Sequence, residues 1–503
     1  MESDRPADIS KGDRAILTVG IMLATGLQFI DGTIVAVALN HMQGSLSVTQ
    51  DQIAWVATAY LVTAAMFMPL AGWLAGYLGR RRMLLFGVCV FTLLSAASGT
   101  CTTLQQIIPI RVALGLCGAI LVPLSQAAML DIYPREKHGM AMALWGIATT
   151  LGPAVTPLLA GYLAETYSWR WAFYSILPFG MISFVILLLM LPEGIRQTGR
   201  RFDMTGFLLL LIAVAALQLM VNRGEREDWF ESTEIIIEAA VAVTAFYMFI
   251  VHIGFARQPF LNLTLMRDRN YVGGLLLVLL TGPTQYATVV IMPFLVQVAY
   301  GYPILTAGVI MTPRGIATIA SMAIAGWLMP RVDSRMMMIF GFITLILANY
   351  LVAFFGAEVG FWQIMFASFG QGVGMGFTLV PLTTLAYSTL PQALRPEGAA
   401  FFNLTRGLSG AMSVAIVIAI LSRSTQTTRN FLVGFINPAR ELLQGADAPL
   451  LWHMGSQEGL AALNLEVNHQ AMLVGFQNIF IIMMAVPAAG LVLTLLLGKA
   501  RTG

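Results

Sequence analysis

Fourteen apolar stretches run along the chain, near 15–39, 53–75, 83–101, 106–130, 139–163, 171–191, 204–221, 235–254, 271–299, 304–328, 336–355, 362–387, 397–421 and 471–497. Each is long enough to cross a ~30 Å hydrocarbon core as a helix, the form in which a lone segment bonds its own backbone polar groups. Hydrophobic residues make up 58% of the chain and charged residues 11%. Soluble chains average roughly 45–50% and 25%, so too little charge is present to cover a soluble core. The 503 residues therefore predict an all-α polytopic membrane protein with the lipid bilayer as its solvent. A soluble enzyme and a single-anchor protein are both excluded. The net charge of +3 gives no reason to expect nucleic acid. The first apolar run is also longer than the ~7–15 residue core of a cleaved signal peptide.

Lys and Arg in alternate connections predict the orientation. Nineteen lie in the tails and in the connections on the same side as them, six on the opposite side, and three inside apolar runs, which accounts for all 28. That asymmetry and the even number of spans predict both termini in the cytoplasm.

Two stretches recur. Gly72-Trp73-Leu74 ahead of Arg80-Arg81-Arg82-Met83 returns as Gly326-Trp327-Leu328 ahead of Arg335-Met336-Met337. Leu121-Val122-Pro123-Leu124 after Gly118 returns as Leu379-Val380-Pro381-Leu382 after Gly376, and the two offsets are 254 and 258. Copies facing the same way form a parallel repeat, the plan of transporters that hold substrate between two halves near the midplane. The copies lie eight spans apart, which six-span bundles separated by two inserted helices explain. The expected units are a tail at 1–14, a first bundle at 15–191, a linker with two inserted helices at 192–254, a second bundle at 255–497 and a tail at 498–503. An outer loop at 422–470 belongs to the second bundle. Its segment Gln457–Gln470 has apolar residues at helical spacing, Leu460, Leu463 and Val467, continued by Ala471 just beyond it, which would leave one face able to pack on the chain itself or on a partner.

An ionisable residue in lipid costs ~2.5–3.5 kcal/mol at a helix centre and marks function by default. Asp31 is the carboxylate well inside a span; Asp131, Glu238 and Glu397 lie near span ends, where they are expected to reach water. An isolated buried carboxylate favours its protonated form, so Asp31 is a candidate proton carrier, with a fixed ion pair to an intramembrane Arg as the alternative. The intramembrane cations are Arg111, Arg314 and Arg406. Helix-to-helix bonding and a cavity role both stand open for Arg111 and Arg406. Arg314 is expected in the cavity, touching substrate or tuning Asp31. Gly152-Pro153 and Thr156-Pro157 are positioned to kink the fifth span. The three Cys match no metal spacing and no enzyme constellation is present, so the expectation is no cofactor and no metal, with an ion gradient as the energy source.

The run Phe29-Ile30-Asp31-Gly32-Thr33-Ile34-Val35-Ala36-Val37-Ala38-Leu39 resembles the first-span motif of the major facilitator superfamily, in its fourteen-span drug:proton antiporter branch of the EmrB/QacA type. Gly72-Trp73-Leu74-Ala75 with Gly79-Arg80-Arg81 is similar to that family's gating-loop motif, although Gly76-Tyr77 stand where the pattern has Asp-Arg. Arg111 with Gly115 and Gly118 resembles its fourth-span pattern. Trp145-Gly146, Gly152-Pro153 and Pro157 with Gly161 resemble its antiporter hinge. The similarity is greatest to the EmrB side and covers essentially the whole chain. It implies a proton-driven exporter of hydrophobic or amphipathic toxic compounds in the bacterial inner membrane. It also implies a periplasmic adaptor leading to an outer-membrane channel. The alternatives are a dedicated exporter of one metabolite, such as a fatty acid or siderophore, and, further off, a membrane-embedded lipid-modifying enzyme.

Overall fold

The computed structural model describes residues 10–193, 202–356, 359–436 and 456–496. Both tails in large part, the connection at 194–201 and the segment 437–455 lie outside the described residues. Span 1 is Lys11–Leu46 and span 2 is Gln50–Phe67 continued by Leu70–Leu78. Span 3 is Arg80–Thr100, span 4 Leu104–Ile132 and span 5 His138–Thr166. Span 6 is Trp169–Tyr174 with Ile176–Met190; spans 7 and 8 are Met204–Arg223 and Thr233–Phe255. Span 9 runs over Arg269–Ala299, followed by span 10 at Ile304–Leu328 and span 11 at Ser334–Ala353. Spans 12, 13 and 14 are Phe361–Tyr387, Arg395–Phe435 and Gln457–Leu496. Among the described residues, thirteen helices are long and apolar enough to cross a membrane by themselves, and span 2 makes a fourteenth, as a pair bent by 59° around Pro69.

Local chemistry sets the helix starts. Asp203, Asp268 and Asp333 cap spans 7, 9 and 11, their carboxylates accepting from the amides of Gly206, of Asn270 and Tyr271, and of Arg335. Each satisfies orphan donors and complements the positive end of the helix dipole. Gly79, at φ +93°, turns the chain between spans 2 and 3, a left-handed geometry open to glycine at no steric cost. In span 9, Pro283 cannot donate to the carbonyl of Leu279. Ser409 Oγ of span 13 donates there instead, at 2.6 Å, and the span passes through π-helical turns at Pro283–Ala287 and Leu295–Ala299.

Spans 1–6 pack into one bundle and spans 9–14 into another. Spans 7 and 8 pair with each other, and span 7 rests on spans 2 and 13. The inserted pair is tied down where span 7 begins. Asp203 accepts from the Phe260 amide at 3.0 Å and faces His252 Nε2 of span 8 at 2.9 Å. Phe202, Phe207, Phe260, Trp73 and Phe401 form a chain of ring contacts through the same spot.

The bundles meet along spans 2, 4 and 5 on one side and 10, 12 and 13 on the other. Two of the glycines that permit close approach between them are the pair from the repeat. A Cβ on Gly72 would lie 2.5 Å from the Glu397 Cα of span 13, and one on Gly326 would lie 2.5 Å from the Ala143 Cβ of span 5. Both contacts fall in the half of the molecule that carries the termini. In the other half, span 5 keeps a single stripe covered, Gly152, Thr156, Ala160 and Ala164, while Leu151, Val155 and Leu158 are exposed. The seam is closed at the terminal end and open at the far end.

The outer loop at 422–470 is shorter than its sequence suggests. Span 13 continues as helix to Phe435 and span 14 starts at Gln457. Leu463, Val467 and Ala471 are buried while Leu460 is half exposed. Arg429 of span 13 donates to Asn468 and Asn464 of span 14, at 2.7 and 3.2 Å. The apolar stripe thus packs mostly on the chain itself.

Candidate functional site

Asp31, on span 1, is fully buried. Arg111 of span 4 donates to its Oδ2 from Nη1 at 2.7 Å, and Ser95 of span 3 donates to Oδ1 at 3.1 Å. The carboxylate is therefore not isolated: the fixed-pair alternative describes its ground state. Arg111 is also fully buried, lies 4.8 Å above the Phe173 ring, and keeps Nε and Nη2 without hydrogen-bond partners among the described residues. Removing either partner leaves a buried charge uncompensated, a loss of about 3–5 kcal/mol.

Arg314 lies away from this pair. It sits on span 10, nearly buried, with Nη2 donating to the carbonyls of Gln285 at 3.3 Å and Thr284 at 3.5 Å. Those carbonyls belong to the first π-turn of span 9, where the ordinary helical ladder is interrupted. The geometry makes Arg314 a staple between spans 9 and 10, and no contact with Asp31 appears among the described residues.

Arg406 of span 13 faces the first bundle, its guanidinium 5.1 Å from the Trp145 ring centre and 5.9 Å from that of Phe29. One turn earlier on the helix, Asn403 Nδ2 donates to Gln126 Oε1 of span 4 at 2.6 Å, and Tyr387 Oη of span 12 donates to the same oxygen at 3.2 Å. These polar groups cross the seam.

The largest departure from expectation lies at the end of span 4. Asp131 was expected to reach water, yet it is buried. It accepts from Arg80 at the start of span 3 and from Arg395 Nη1 at the start of span 13, the latter at 2.8 Å. Arg395 also donates to the Leu130 carbonyl at 3.3 Å. Glu397, likewise expected near water, is buried and accepts from the Asn262 amide at 2.6 Å. Arg80 is thus part of a clamp between bundles. Arg81 instead donates to the Leu188 carbonyl at 2.7 Å within the first bundle. The local signal for the clamp was weak, because its three members are 51 and 264 residues apart.

The hinge residues occupy a continuous helix, span 5. Gly152 packs on Phe29 and Ile30 of span 1, Gly161 faces open space, and Pro153 and Pro157 are exposed on the open half of the seam. An apolar groove of about 830 Å³ on the outer face of the second bundle, lined by Tyr350, Phe354, Trp362 and Phe366 among others, carries none of the intramembrane charges. No group of metal-ligating side chains occurs among the described residues.

A profile of the Major Facilitator Superfamily matches residues 21–414. The multidrug export protein EmrB of Escherichia coli (strain K12) is 31% identical over 484 residues, covering 95% of this chain and 94% of that protein. The fatty acid resistance protein FarB of Neisseria gonorrhoeae is 28% identical over 470 residues, covering 93% and 92%. Among solved structures, the proton:xylose symporter XylE matches at a TM-score of 0.61 with 11% identity, covering 95% of each chain.

Proposed function

The chain belongs to the major facilitator superfamily, and from that premise we propose that it is a proton-driven exporter of hydrophobic or amphipathic toxic compounds in the bacterial inner membrane. The observation that carries the mechanism is the sealed pair of Asp31 and Arg111. Protonation of Asp31 cancels the charge that holds Arg111, so spans 1 and 4 lose their electrostatic bond. Deprotonation restores it. With the termini in the cytoplasm, the clamp of Asp131 with Arg80 and Arg395 holds the inner end of the seam shut, and the open half faces outward. That is the state in which an exporter releases substrate and takes up a proton. Gly72 and Gly79 shape the gate around Arg80. Gly152, Pro153, Pro157 and Gly161 keep the open half of span 5 short of packing partners, which suits a segment that moves.

The resemblance of FarB, named for fatty acid resistance, supports a narrower reading in which one metabolite class is exported. A compound-susceptibility screen of a deletion strain separates broad from narrow export. A periplasmic adaptor leading to an outer-membrane channel remains part of the proposal. Its contact surface would be the exposed residues of the outer hairpin, such as Phe431 and Leu465, because the stripe through Leu463 and Val467 is covered. The decisive test is purified protein in vesicles with an imposed pH gradient. Wild type drives substrate movement coupled to protons, and Asp31→Asn at equal incorporation does not. Undiminished gradient-driven movement in Asp31→Asn would refute the mechanism.

A further inference from the structure

Where the two bundles meet, two neighbouring side chains carry buried donors that lack an acceptor. Arg406 is 4% exposed, and its Nη1 has no hydrogen-bond partner among the described residues. The indole Nε1 of Trp145, whose ring lies 5.1 Å from that guanidinium, is equally unpartnered, and Trp145 is fully buried. The rings of Trp145 and Phe29 attract the cation through their faces, an effect worth ~0.5–2 kcal/mol. They offer no oxygen to the N–H edge. A buried charge without a counter-ion is costly, and the usual remedy, a carboxylate on a neighbouring span, is already in use elsewhere. Asp31 is bonded to Arg111 and Ser95, and Asp131 to Arg80 and Arg395. Asn403, one turn away, donates its amide to Gln126 and to the Ala399 carbonyl, while its Oδ1 lies outside hydrogen-bonding range of Arg406.

What this place lacks is a single oxyanion. We propose that Arg406 and the Trp145 N–H form the seat for a carboxylate carried by the substrate, so that amphipathic acids are a favoured class. The apolar body of such a molecule lies against the rings of Phe29 and Trp145 and extends toward the open half of span 5. A monoanion fits better than a dianion, because one guanidinium neutralises one charge and a second would stay buried and unpaired. The inference rests on the export reading for its access route, since a ligand reaches a seat between bundles from the open end of the seam.

Binding to purified protein tests the seat without requiring transport. The probes are a dansyl-labelled undecanoic acid, its methyl ester, and ethidium as a permanent cation. Wild type binds the acid roughly tenfold to hundredfold more tightly than the ester, the range of one or two hydrogen bonds to a charged group. Arg406→Gln abolishes that preference, lowering acid affinity far more than ester affinity. Arg406→Lys retains part of it. Trp145→Phe, which keeps a ring and removes the N–H, lowers acid affinity about threefold to tenfold with the ester unaffected. Acid and ester bound equally by wild type, or weakened equally by Arg406→Gln and Trp145→Phe, would overturn the seat. The export reading fails separately. An Arg406-dependent acid preference with no movement of acid or ethidium under a pH gradient would sink export and leave the seat standing. Gradient-driven ethidium efflux with no acid preference would do the reverse.

Discussion

The two bundles descend from one plan and treat intramembrane charge in opposite ways. In the first, Asp31 and Arg111 cancel each other in a fully buried pair. In the second, Arg314 and Arg406 have no carboxylate away from the span ends to answer them. Arg314 borrows backbone carbonyls from a π-turn, and Arg406 borrows aromatic faces from the other bundle. The scaffold glycines kept their task in both copies, Gly72 touching span 13 and Gly326 touching span 5. What was duplicated is the fit between bundles. The chemistry then diverged, with a paired carboxylate and guanidinium on one side and guanidinium groups without a carboxylate on the other.

The strongest way to break this comparison is to unbalance the neutral pair. Asp31→Asn should reduce gradient-driven efflux by at least about a hundredfold, and it should destabilise the protein by about 3–5 kcal/mol because Arg111 stays charged. The double variant Asp31→Asn/Arg111→Gln should recover most of the thermal stability and none of the coupling. Thermal denaturation and vesicle flux, measured on the same preparations, separate the two effects. Recovery of flux in the double variant would show that the pair is structural.

Next in size are changes at the seam. Gly72→Val and Gly326→Val both place atoms where backbone or a neighbouring Cβ already lies. Each should favour the state open at the terminal end. Asp131→Asn should shift the same equilibrium by at least about tenfold, ~1.4 kcal/mol or more, by leaving the buried Arg80 and Arg395 facing each other. Spin labels placed across the terminal ends of spans 4 and 13 report the distance. Shifts in opposite directions for the two glycines would show that the duplicated contacts are not equivalent.

Smaller again is Arg314→Ala, expected to lower stability by about 1–3 kcal/mol, the scale of hydrogen bonds made by a charged donor. It should affect acidic and cationic compounds alike, which distinguishes it from Arg406. The smallest expected effect is His252→Gln, about 0.5–1 kcal/mol. Desolvation pushes Asp203 up, but the bonds from the Gly206 amide, His252 and the Phe260 amide outweigh it and hold its carboxyl below the ordinary value. A depressed carboxylate stabilises the fold above the ordinary range near ~3.9, and that contribution is lost as the pH falls below it. A thermal-shift series from neutral pH downward should therefore show the tether of spans 7 and 8 loosening only in acid.

The spans, the duplication and the candidate charges are legible in the amino-acid sequence because each rests on a large energy: burying backbone in lipid, or burying charge. The pairings are not. In lipid both faces of a helix are apolar, so hydrophobic period does not say which way a residue points. Ile120 is buried and Leu116 is exposed on the same span, though the two residue types look alike in sequence. Asp31 and Arg111 were each visible as candidates, but their bond depends on the rotation of spans 1 and 4. Asp131 and Glu397 looked water-facing because they stand near helix ends. A closed seam covers those ends. Small residues are the better guide, since Gly72, Gly326 and Gly152 each mark a real close approach.

Spans 13 and 14 contain 41 and 40 residues, about 60 Å of helix at 1.5 Å per residue, against a hydrocarbon core of ~30 Å. Even against the ~40–45 Å of a whole bilayer, roughly a quarter to a third of each is left over as a paired rod, riveted by Arg429 to Asn464 and Asn468. A rod fixed to one bundle is a pointer. When that bundle tilts by about 10°, the free end sweeps roughly 5 Å, one full helical turn. Whatever touches the tip thus receives an amplified mechanical record of each transport cycle, with no signal other than the motion that opens the seam.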